Sequence, residues 1–259
     1  IEVFQRTNEK RNKLRDQNLR NGHLKSLAAF SSRLHWHCHF IQKLETQPSL
    51  EYQNMVLAFD GMREDDFDMK KFELWKNGKT GFPLVDACMR ALKEEGWLNF
   101  RMRAMVVSFA SYNLWLDWKK TSKVLAGYFT DYEPGIHYNQ VQMQSGVTGI
   151  NTIRIYNPTK QLMDHDPKGT FVRKWCPELK DVPDDFLAQP HMLPVAAQKK
   201  YNCIIGEDYP SISVDLLQSS KFARDKIYNI KSLPNTRIQS LAAYELHGSR
   251  KKNSNKYRS

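Results

Sequence analysis

The sequence predicts an all-α fold, and three observations lead to this prediction. Apolar residues recur at helical spacing in several separate stretches, which is typical of helices with one buried face. No stretch alternates apolar and polar residues for long enough to predict a strand of a sheet. The chain has 259 residues, of which 41% are hydrophobic and 12% aromatic, so it is able to bury a large core. The same composition excludes disorder, collagen and a disulfide-stapled miniprotein.

The predicted helices differ in the signals that support them. Phe82–Glu95 has Pro83 where a first helical turn tolerates proline and Gly96 as a stop signal, and its apolar residues follow the helical period. Trp97–Trp118 is apolar on nearly every face, which predicts a central helix enclosed by protein. Further helices are predicted for Leu24–Leu44, Lys119–Phe129 and, as the terminal helix, Lys221–Ile230.

Three other segments lack a helical period. Asp131–Pro158 is rich in Gly, Asn and Gln and predicts an irregular loop, a feature that is usually functional in compact domains. Pro183–Pro210 is punctuated by prolines and predicts a strap. Residues 248–259 are basic and predict a disordered tail, so we expect one domain at 1–247 and a tail after it. Because Ile1 opens a run typical of the middle of a polar helix, we expect the sequence to be a fragment of a longer chain.

The net charge and the cysteines indicate which partner and which cellular compartment to expect. An excess of 39 basic over 28 acidic residues gives a net charge of +11 and favours a polyanionic partner, because neutralised phosphates release counterions. A solvated basic surface is the alternative, which charge alone leaves open. The four cysteines form no C-x-x-C pair, which favours a reducing intracellular compartment, with the cytoplasm expected. The longest uncharged run, Ala104–Leu116, is shorter than the ~20 apolar residues that a bilayer requires, so we expect no membrane partner.

Residue types that bind metals cluster in the run RLHWHCHF. On a helix, His35, Cys38 and His39 share one face and are able to hold a transition metal. No fourth ligand stands at a suitable spacing, and neighbours such as Trp36 and Phe40 are apolar. We therefore favour histidines that are hydrogen-bonded beside a cofactor or the core.

Charged residues near the buried segments offer a second candidate site. Asp131 and Glu133, with His137, are a weak signal for acid/base carboxylates, because two carboxylates at this spacing are common in loops. Arg101 and Arg103 interrupt an apolar helix, and a buried guanidinium needs a carboxylate or a phosphate as its partner. Asp131 is the predicted partner of Arg103.

Four tryptophans lie within 44 residues of the chain, at positions Trp75, Trp97, Trp115 and Trp118. On the predicted helix, Trp115 and Trp118 stand one turn apart. Core packing is the usual fate of tryptophan in a buried helix, whereas a stacking surface or an electron path is the functional alternative. The spacing alone does not decide between these interpretations.

Several motifs, in the same order along the chain, resemble a known family. They are WKNGKTGFPLVDACMRALKEEGWLNFRMRAM, LWLDW, DYEPGIH, RIYNP and DPKGTFVRKWCPEL. Together they resemble the FAD-binding helical domain of the DNA photolyase and cryptochrome family, whose motif G-K-T-G-[FY]-P-x-V-D-A-x-M-R is highly specific. The resemblance implies an all-α domain that holds a U-shaped FAD at the bottom of a hole in a basic face. It also implies light-driven electron transfer from reduced flavin to a pyrimidine dimer that is flipped out of damaged DNA.

The resemblance implies roles for individual residues as well. Contacts with FAD are implied for His37, Phe40, Arg103, Asp131, Tyr132, Glu133 and His137. Contacts with the DNA or the lesion are implied for Arg33, Trp36, Phe100 and Arg101. Arg103 and Asp131 match an ion pair near the FAD phosphates, and His137 matches the residue that faces flavin N5. Trp36 matches an aromatic residue that stacks on the lesion.

The chain also departs from the family pattern. Val141 and Met143 stand where photolyases usually carry tryptophans, the first in a chain that reduces the flavin and the second against the dimer. Trp118 is retained from that chain, so we expect it to carry electrons, with Trp115 or Tyr112 nearby. Arg33 stands in place of a glutamate that contacts the lesion. The family's N-terminal α/β antenna domain and the Ser/Thr-rich segment at the FAD pyrophosphate precede the matched region, so we expect the antenna domain as a partner within the same longer chain.

Three hypotheses remain open from the sequence. The first is a monomeric, FAD-dependent photolyase, which is a carbon–carbon lyase that repairs pyrimidine dimers. The second is a cryptochrome-like blue-light photoreceptor without repair activity. The third is a basic helical interaction domain without flavin. Flavin absorption by the full-length protein separates the third from the others, and light-dependent repair of a dimer separates the first two.

Overall fold

The computed structural model of the protein describes residues 2–16 and 22–248. It confirms the all-α prediction, since the described residues form no sheet and only an isolated bridge joins Ile205 to Tyr209. The α-helices are α1 Glu2–Asp16, α2 Gly22–Thr46, α3 Met69–Lys76, α4 Pro83–Glu95, α5 Phe100–Ser108, α6 Trp118–Tyr128, α7 Pro134–Ser145, α8 Pro158–His165, α9 Thr170–Trp175, α10 Asp184–Leu187, α11 Val195–Lys200, α12 Leu216–Ser232 and α13 Pro234–His247. Short 3-10 helices cover Pro48–Glu51, Leu57–Phe59, Pro177–Leu179 and Pro190–Met192, and a π-helix covers Phe109–Asn113.

The structure also bears on the predictions about membranes and cysteines. Within residues 2–16 and 22–248, we find no helix with both the length and the apolar character that a bilayer span requires. The cysteines are free thiols, of which Cys38 is exposed and Cys88, Cys176 and Cys203 are buried.

The chain divides into two compact units, and the first comprises Ile1–Glu51 and Glu133–Asn139. In this unit α1 packs along α2, where the rings of Phe4 and His35 meet edge to face at 4.7 Å between their centroids. The start of α7 also lies against α2, because a Cβ added to Gly135 would stand 2.7 Å from the Ile41 Cα. The absence of a side chain at Gly135 therefore permits this close approach of two helices.

The second unit comprises Tyr52–Tyr132 and Gln140–Ser259, and α4 lies at its centre against α5, α8 and α9. Pro83 occupies the first turn of α4, and Gly96 ends the helix in the left-handed conformation with φ of 71°. These are the start and stop signals of the sequence, so this predicted helix is confirmed. The largest fully buried side chains of the unit include Trp75, Met89, Leu92, Met105, Phe109, Tyr112, Leu116 and Trp118.

The loop before α4 is held by the buried carboxylate of Asp86. This carboxylate accepts hydrogen bonds from Thr80 N at 2.7 Å, Thr80 Oγ1 at 2.6 Å, Gly81 N at 3.0 Å and the Tyr209 hydroxyl at 2.6 Å. Burial raises the pKa of Asp86, and the hydrogen bonds from Thr80 and Tyr209 oppose this rise. The TGFP and VDA portions of the motif therefore close one loop and join it to a segment far along the chain.

The prediction of one continuous helix over Trp97–Trp118 is wrong. α5, the π-helix and the start of α6 divide the segment, and Trp115 lies between the last two with φ of 58°. The left-handed region is unusual for a bulky residue and interrupts helical hydrogen bonding. Most of the segment is buried as predicted, but Trp97 and Phe100 are exposed. Trp115 and Trp118 are therefore not one helical turn apart.

The prediction of an irregular loop over Asp131–Pro158 is wrong in its first half, which forms α7. Polar residues are interspersed with the apolar ones around this helix, so the sequence shows no apolar period there. In the second unit, the buried side-chain amide of Gln142 attaches α7 to its neighbours through hydrogen bonds. Gln142 Oε1 accepts a hydrogen bond from Met55 N at 2.7 Å, and Gln142 Nε2 donates one to Gln53 O at 2.9 Å.

Other predictions agree with the structure more closely. α2 and α6 match their predicted helices to within two residues. α12 contains the predicted helix Lys221–Ile230 but is not terminal, because α13 follows it. The proline-rich strap Pro183–Pro210 carries three short helices. The predicted tail lies outside the described residues from position 249 onward, and the domain limits stay predictions.

Candidate functional site

Four of the candidate residues share one face of α2. Arg33, Trp36, His37 and Phe40 stand at positions i, i+3, i+4 and i+7 of a continuous helix, which places them in one stripe. The ring of Trp36 stacks on the ring of Phe40 with 5.6 Å between centroids and 29° between planes. Arg33, Trp36 and His37 are exposed, and Phe40 is half-buried. α2 thus presents an aromatic surface beside a guanidinium group.

The metal-binding residue types in the run at positions 33–40 of α2 do not gather into one cluster. No group of three or more metal-binding side chains occurs in the described ranges of the chain. His35 and Cys38 are exposed, so they are not core residues. His39 is half-buried beside the rings of Trp36 and Phe40, at 5.5 and 5.8 Å between centroids. Burial, followed by the charge of Lys43, lowers the pKa of His39, which is consistent with a packing role.

Glu133 marks the start of α7 in the first unit. Its Oε1 accepts a hydrogen bond from Gly135 N at 3.1 Å, and its Oε2 accepts one from Ile136 N at 2.8 Å. The carboxylate therefore caps backbone groups that have no partner within the helix. His137 follows one turn later, buried, with its ring edge to face against Tyr138 at 5.3 Å.

Asn139 is a residue that the sequence did not single out. Its Nδ2 donates hydrogen bonds to Phe40 O at 3.2 Å and Gly135 O at 2.7 Å, which fixes the orientation of the amide. Its buried Oδ1 has no hydrogen-bond partner among the residues that the structure describes. An unpaired buried acceptor is costly, so a donor from a bound molecule fits this position.

In the second unit, Arg103 and Asp131 form the predicted ion pair. Arg103 Nη2 lies 2.8 Å from Asp131 Oδ2, but the two side chains are 27% and 50% exposed, so the expected burial of the pair is wrong. Arg103 is also held by a hydrogen bond from its Nε to Leu98 O at 2.6 Å. Its guanidinium carbon stands 4.1 Å from the centroid of the Phe129 ring. The guanidinium is therefore fixed near the surface, where a phosphate is able to reach it.

Two segments that meet near this ion pair expose further aromatic side chains. Thr130 N and Thr130 Oγ1 donate to Gly96 O at 3.0 and 3.2 Å, which ties the end of α6 to the start of α5. The exposed side chains of the two segments include three aromatic ones, Trp97, Phe100 and Tyr132, and the guanidinium of Arg101. Trp97 was predicted to lie in a buried helix, and this prediction is wrong, although the helix stop signal of Gly96 just before it indicated a break.

Trp118 belongs to a hydrogen-bonded chain within the second unit. Its Nε1 donates to Asn54 Oδ1 at 2.7 Å, and Asn54 Nδ2 donates to Asp60 Oδ1 at 2.6 Å. Trp115 lies instead beneath Arg63, whose guanidinium carbon is 4.5 Å from the indole centroid. Asn54, Asp60 and Arg63 were not predicted as site residues, because no local motif marks them.

The comparisons with known proteins identify the family. The family described as the FAD binding domain of DNA photolyase matches residues 30–229. The chain belongs to this family. Among curated photolyase-family proteins, it is 36% identical over 182 residues to a cryptochrome DASH of Synechocystis sp., which covers 68% of this chain and 37% of that protein. It is 36% identical over 168 residues to a deoxyribodipyrimidine photo-lyase of Alkalihalophilus pseudofirmus, which covers 63% and 35%. The chain thus spans about a third of the length of these relatives.

Solved structures of photolyase-family proteins show the same fold. A bacterial class III photolyase from Agrobacterium tumefaciens aligns with a TM-score of 0.73 at 29% identity, covering 81% of this chain and 44% of that protein. A Synechocystis sp. cryptochrome aligns with a TM-score of 0.73 at 29% identity, covering 84% and 44%. An archaeal photolyase from Sulfolobus tokodaii, solved with two FAD molecules, aligns with a TM-score of 0.69 at 28% identity, covering 78% and 44%.

FAD is the cofactor of this photolyase-family domain, and the residues present fit it. The buried Oδ1 of Asn139 is an acceptor without a donor in the described residues, and an N–H or hydroxyl group of FAD suits it. The half-exposed guanidinium of Arg103 has the charge that a pyrophosphate requires.

The exposure of the ion pair in this photolyase-family domain leads to a prediction. Asp131→Asn should lower the free energy of unfolding by less than ~1 kcal/mol, because exposed ion pairs contribute little. Chemical denaturation measures this change. Glu95→Gln is a matched control, since Glu95 pairs with Lys174 at 2.8 Å with similar exposure. A loss of ~3–5 kcal/mol would instead indicate a pair that is buried in the full-length protein.

Proposed function

We propose that the full-length protein is an FAD-dependent photolyase that repairs pyrimidine dimers in DNA. The observation that carries the proposal is the stripe on α2, where the exposed Trp36 ring lies beside the Arg33 guanidinium and stacks on Phe40. An exposed ring suits stacking on an unpaired base, and a neighbouring cation suits the phosphate backbone. The family supplies the flavin chemistry, and the net charge of +11 suits a polyanionic partner.

In this proposal one set of residues binds FAD and another set binds DNA. Arg103, Asp131, Tyr132, Glu133, His137, His37 and Phe40 form the FAD-binding set, and Arg33, Trp36, Phe100 and Arg101 form the DNA-binding set. When bound in its reduced form, FAD supplies one electron under light, which opens the cyclobutane ring and is then returned. The side chains of the protein hold the cofactor, stack on the extruded bases and exclude water from the reaction.

Repair of a defined substrate tests the proposal. Full-length protein with reduced FAD is illuminated with an oligonucleotide that contains one cyclobutane dimer, and intact oligonucleotide is quantified against a dark sample. Trp36→Ala should weaken binding of this oligonucleotide by roughly tenfold, because base stacking on an aromatic ring contributes ~1–3 kcal/mol. Tyr244→Ala is the control, since Tyr244 is an exposed aromatic residue on α13. No repair in light by protein that retains FAD would contradict the proposal.

The second candidate function is a blue-light photoreceptor that binds FAD without repair. The observation that favours it is the lack of aromatic rings at positions 141 and 143. The buried Val141 and the half-buried Met143 are able neither to stack on a dimer nor to relay an electron. The relatives carry names of both kinds, cryptochrome and photo-lyase. Flavin photochemistry without dimer repair is the outcome that supports this candidate.

DNA binding should depend steeply on salt. Arg101 is exposed in the first turn of α5, so we expect Arg101→Gln to reduce the slope of log affinity against log salt by about 0.9 on duplex DNA. Titrations of fluorescent DNA at several salt concentrations measure the slope. Arg237→Gln, an exposed arginine on α13, is the control and should leave the slope unchanged. Equal effects of the two substitutions would place the DNA elsewhere.

Trp118 is proposed as the residue that passes electrons to the flavin. Trp118→Phe keeps most of the packing volume and removes the readily oxidised indole, so photoreduction of the bound flavin should slow by at least roughly tenfold. The rate is followed by flavin absorption under constant light with an external reductant. Trp75→Phe is the control, since Trp75 is equally buried and its Nε1 bonds to Val106 O. An unchanged rate in Trp118→Phe would show that this ring serves packing alone.

A further inference from the structure

The helix α13 is attached to the second unit through one of its faces. Gln239 Oε1 accepts a hydrogen bond from Ala58 N at 2.9 Å, which joins the helix to a segment far away in the chain. The buried side chains of this inner face are Thr236, Ala243 and His247. Because the inner face is fixed in this way, the residues on the opposite side of α13 point away from the core.

The outer face of α13 exposes large apolar side chains in a row. Ile238 and Leu241 stand at positions i and i+3, so they are neighbours on the helix surface, and they are 69% and 60% exposed. The exposed Tyr244 continues the row by another three residues. The match to the photolyase family ends at residue 229, so this row lies outside the part of the chain that the family accounts for. Apolar residues that are exposed together, rather than singly, are typical of a surface that another chain covers.

Two opposite charges stand at equal distances from the centre of this row. Arg237 lies four residues before Leu241, and Glu245 lies four residues after it. At 1.5 Å per residue the two charged residues are about 12 Å apart along the helix, which is too far for a direct ion pair. Neither of them has an ion-pair partner in the part of the chain that the structure describes.

A second copy of α13 that runs antiparallel to the first complements this pattern. A two-fold axis at Leu241 brings Arg237 of each copy opposite Glu245 of the other. The same axis brings Ile238 of each copy opposite Tyr244 of the other, so an apolar centre lies between two ion pairs. A parallel arrangement would instead align like charges. The charge pattern therefore specifies both the partner and its direction.

Other occupants fit the outer face of α13 less well. Its row carries one charge of each sign, whereas nucleic acids and anionic lipid surfaces select positively charged surfaces. Residues 249–259 offer only Tyr257 as a large apolar side chain, which is too little to cover the row.

We propose that the full-length protein forms a symmetric dimer through the outer face of α13. This dimer goes beyond the proposed function, since neither FAD nor DNA takes part in it, and it differs from the monomer that the sequence led us to expect. One face of a 14-residue helix is about 21 Å long, which makes a smaller contact than a standard interface. We therefore expect an equilibrium between monomer and dimer that depends on protein concentration.

Sedimentation of the full-length protein over a range of concentrations tests the proposal. The average mass should rise from that of a monomer toward that of a dimer. Leu241→Glu places a charge on each side of the two-fold axis, so it should raise the dissociation constant of the dimer by at least roughly tenfold. Leu217→Glu is the matched control, because Leu217 is an exposed leucine on α12, and it should leave the dissociation constant unchanged.

Charge reversals test whether the two helices run antiparallel. Arg237→Glu and Glu245→Arg should each weaken self-association, because each variant brings two pairs of like charges together. An equimolar mixture of the two variants should associate as the unsubstituted protein does, since every pair in the mixed dimer then joins opposite charges. A mixture that stays dissociated, or equal effects of Leu241→Glu and Leu217→Glu, would overturn the proposal. A monomer at every concentration would also overturn it and would indicate that another part of the longer chain covers the row.

Discussion

Gly81→Ala is expected to lower the free energy of unfolding by about 3 kcal/mol, the largest effect we predict for a single methyl group. Gly81 has φ of 80°, which L side chains rarely adopt. A Cβ added there would lie 2.5 Å from Ser211 O and 2.7 Å from Ile212 Cα, both of which are backbone atoms. The backbone therefore has to move, and the loop before α4 loses its contact with this segment.

Chemical denaturation measures the effect of Gly81→Ala, with Gly127→Ala as the matched control. Gly127 lies on the exposed side of α6, and a Cβ there meets no atom within 4 Å. Alanine at this position should stabilise the protein by ~0.5–1 kcal/mol, because glycine is a poor helix former. Similar free energies for the two variants would contradict the role given to Gly81.

Asp86→Asn is expected to lower the free energy of unfolding by about 3 kcal/mol. All four neighbouring groups of Asp86 donate hydrogen bonds, at 2.6 to 3.0 Å. An amide offers one oxygen and an NH2 group, so the NH2 faces donors and leaves them without an acceptor in a buried site. Each unsatisfied buried group costs ~1–3 kcal/mol.

Two further variants place this result for Asp86 in context. Tyr209→Phe removes one of the four donors and should cost ~1 kcal/mol, because the remaining bonds persist. Asp164→Asn, at an exposed position of α8, should change stability by less than ~0.5 kcal/mol. If Asp86→Asn behaved like Asp164→Asn, the carboxylate would not organise this loop.

These two predictions show what the most distinctive motif of the family does in this chain. Gly81 and Asp86 make backbone and side-chain contacts with Ser211, Ile212 and Tyr209, all more than a hundred residues away. The motif therefore serves folding, whereas the residues proposed to meet FAD and DNA lie on α2, at the start of α5 and around the start of α7.

The all-α class and the limits of α4 were predictable from the sequence because each depends on signals close together in the chain. Apolar residues at helical spacing, Pro83 at the start and Gly96 at the end act over a few residues. The stripe of Arg33, Trp36, His37 and Phe40 on α2 follows from the same helical period. The family and its cofactor likewise follow from local motifs.

The remaining features depend on contacts between distant residues, and only the tertiary structure decided them. α7 forms although its polar residues show no apolar period, because Gln142 bonds to the backbone of residues 53 and 55. The break at Trp115 and the cation of Arg63 above it arise where segments fifty residues apart meet. The Arg103 and Asp131 pair was predicted, yet the exposure of its side chains, 27% and 50%, was not. Burial and charge balance are properties of the packed chain, so no local pattern in the sequence reveals them.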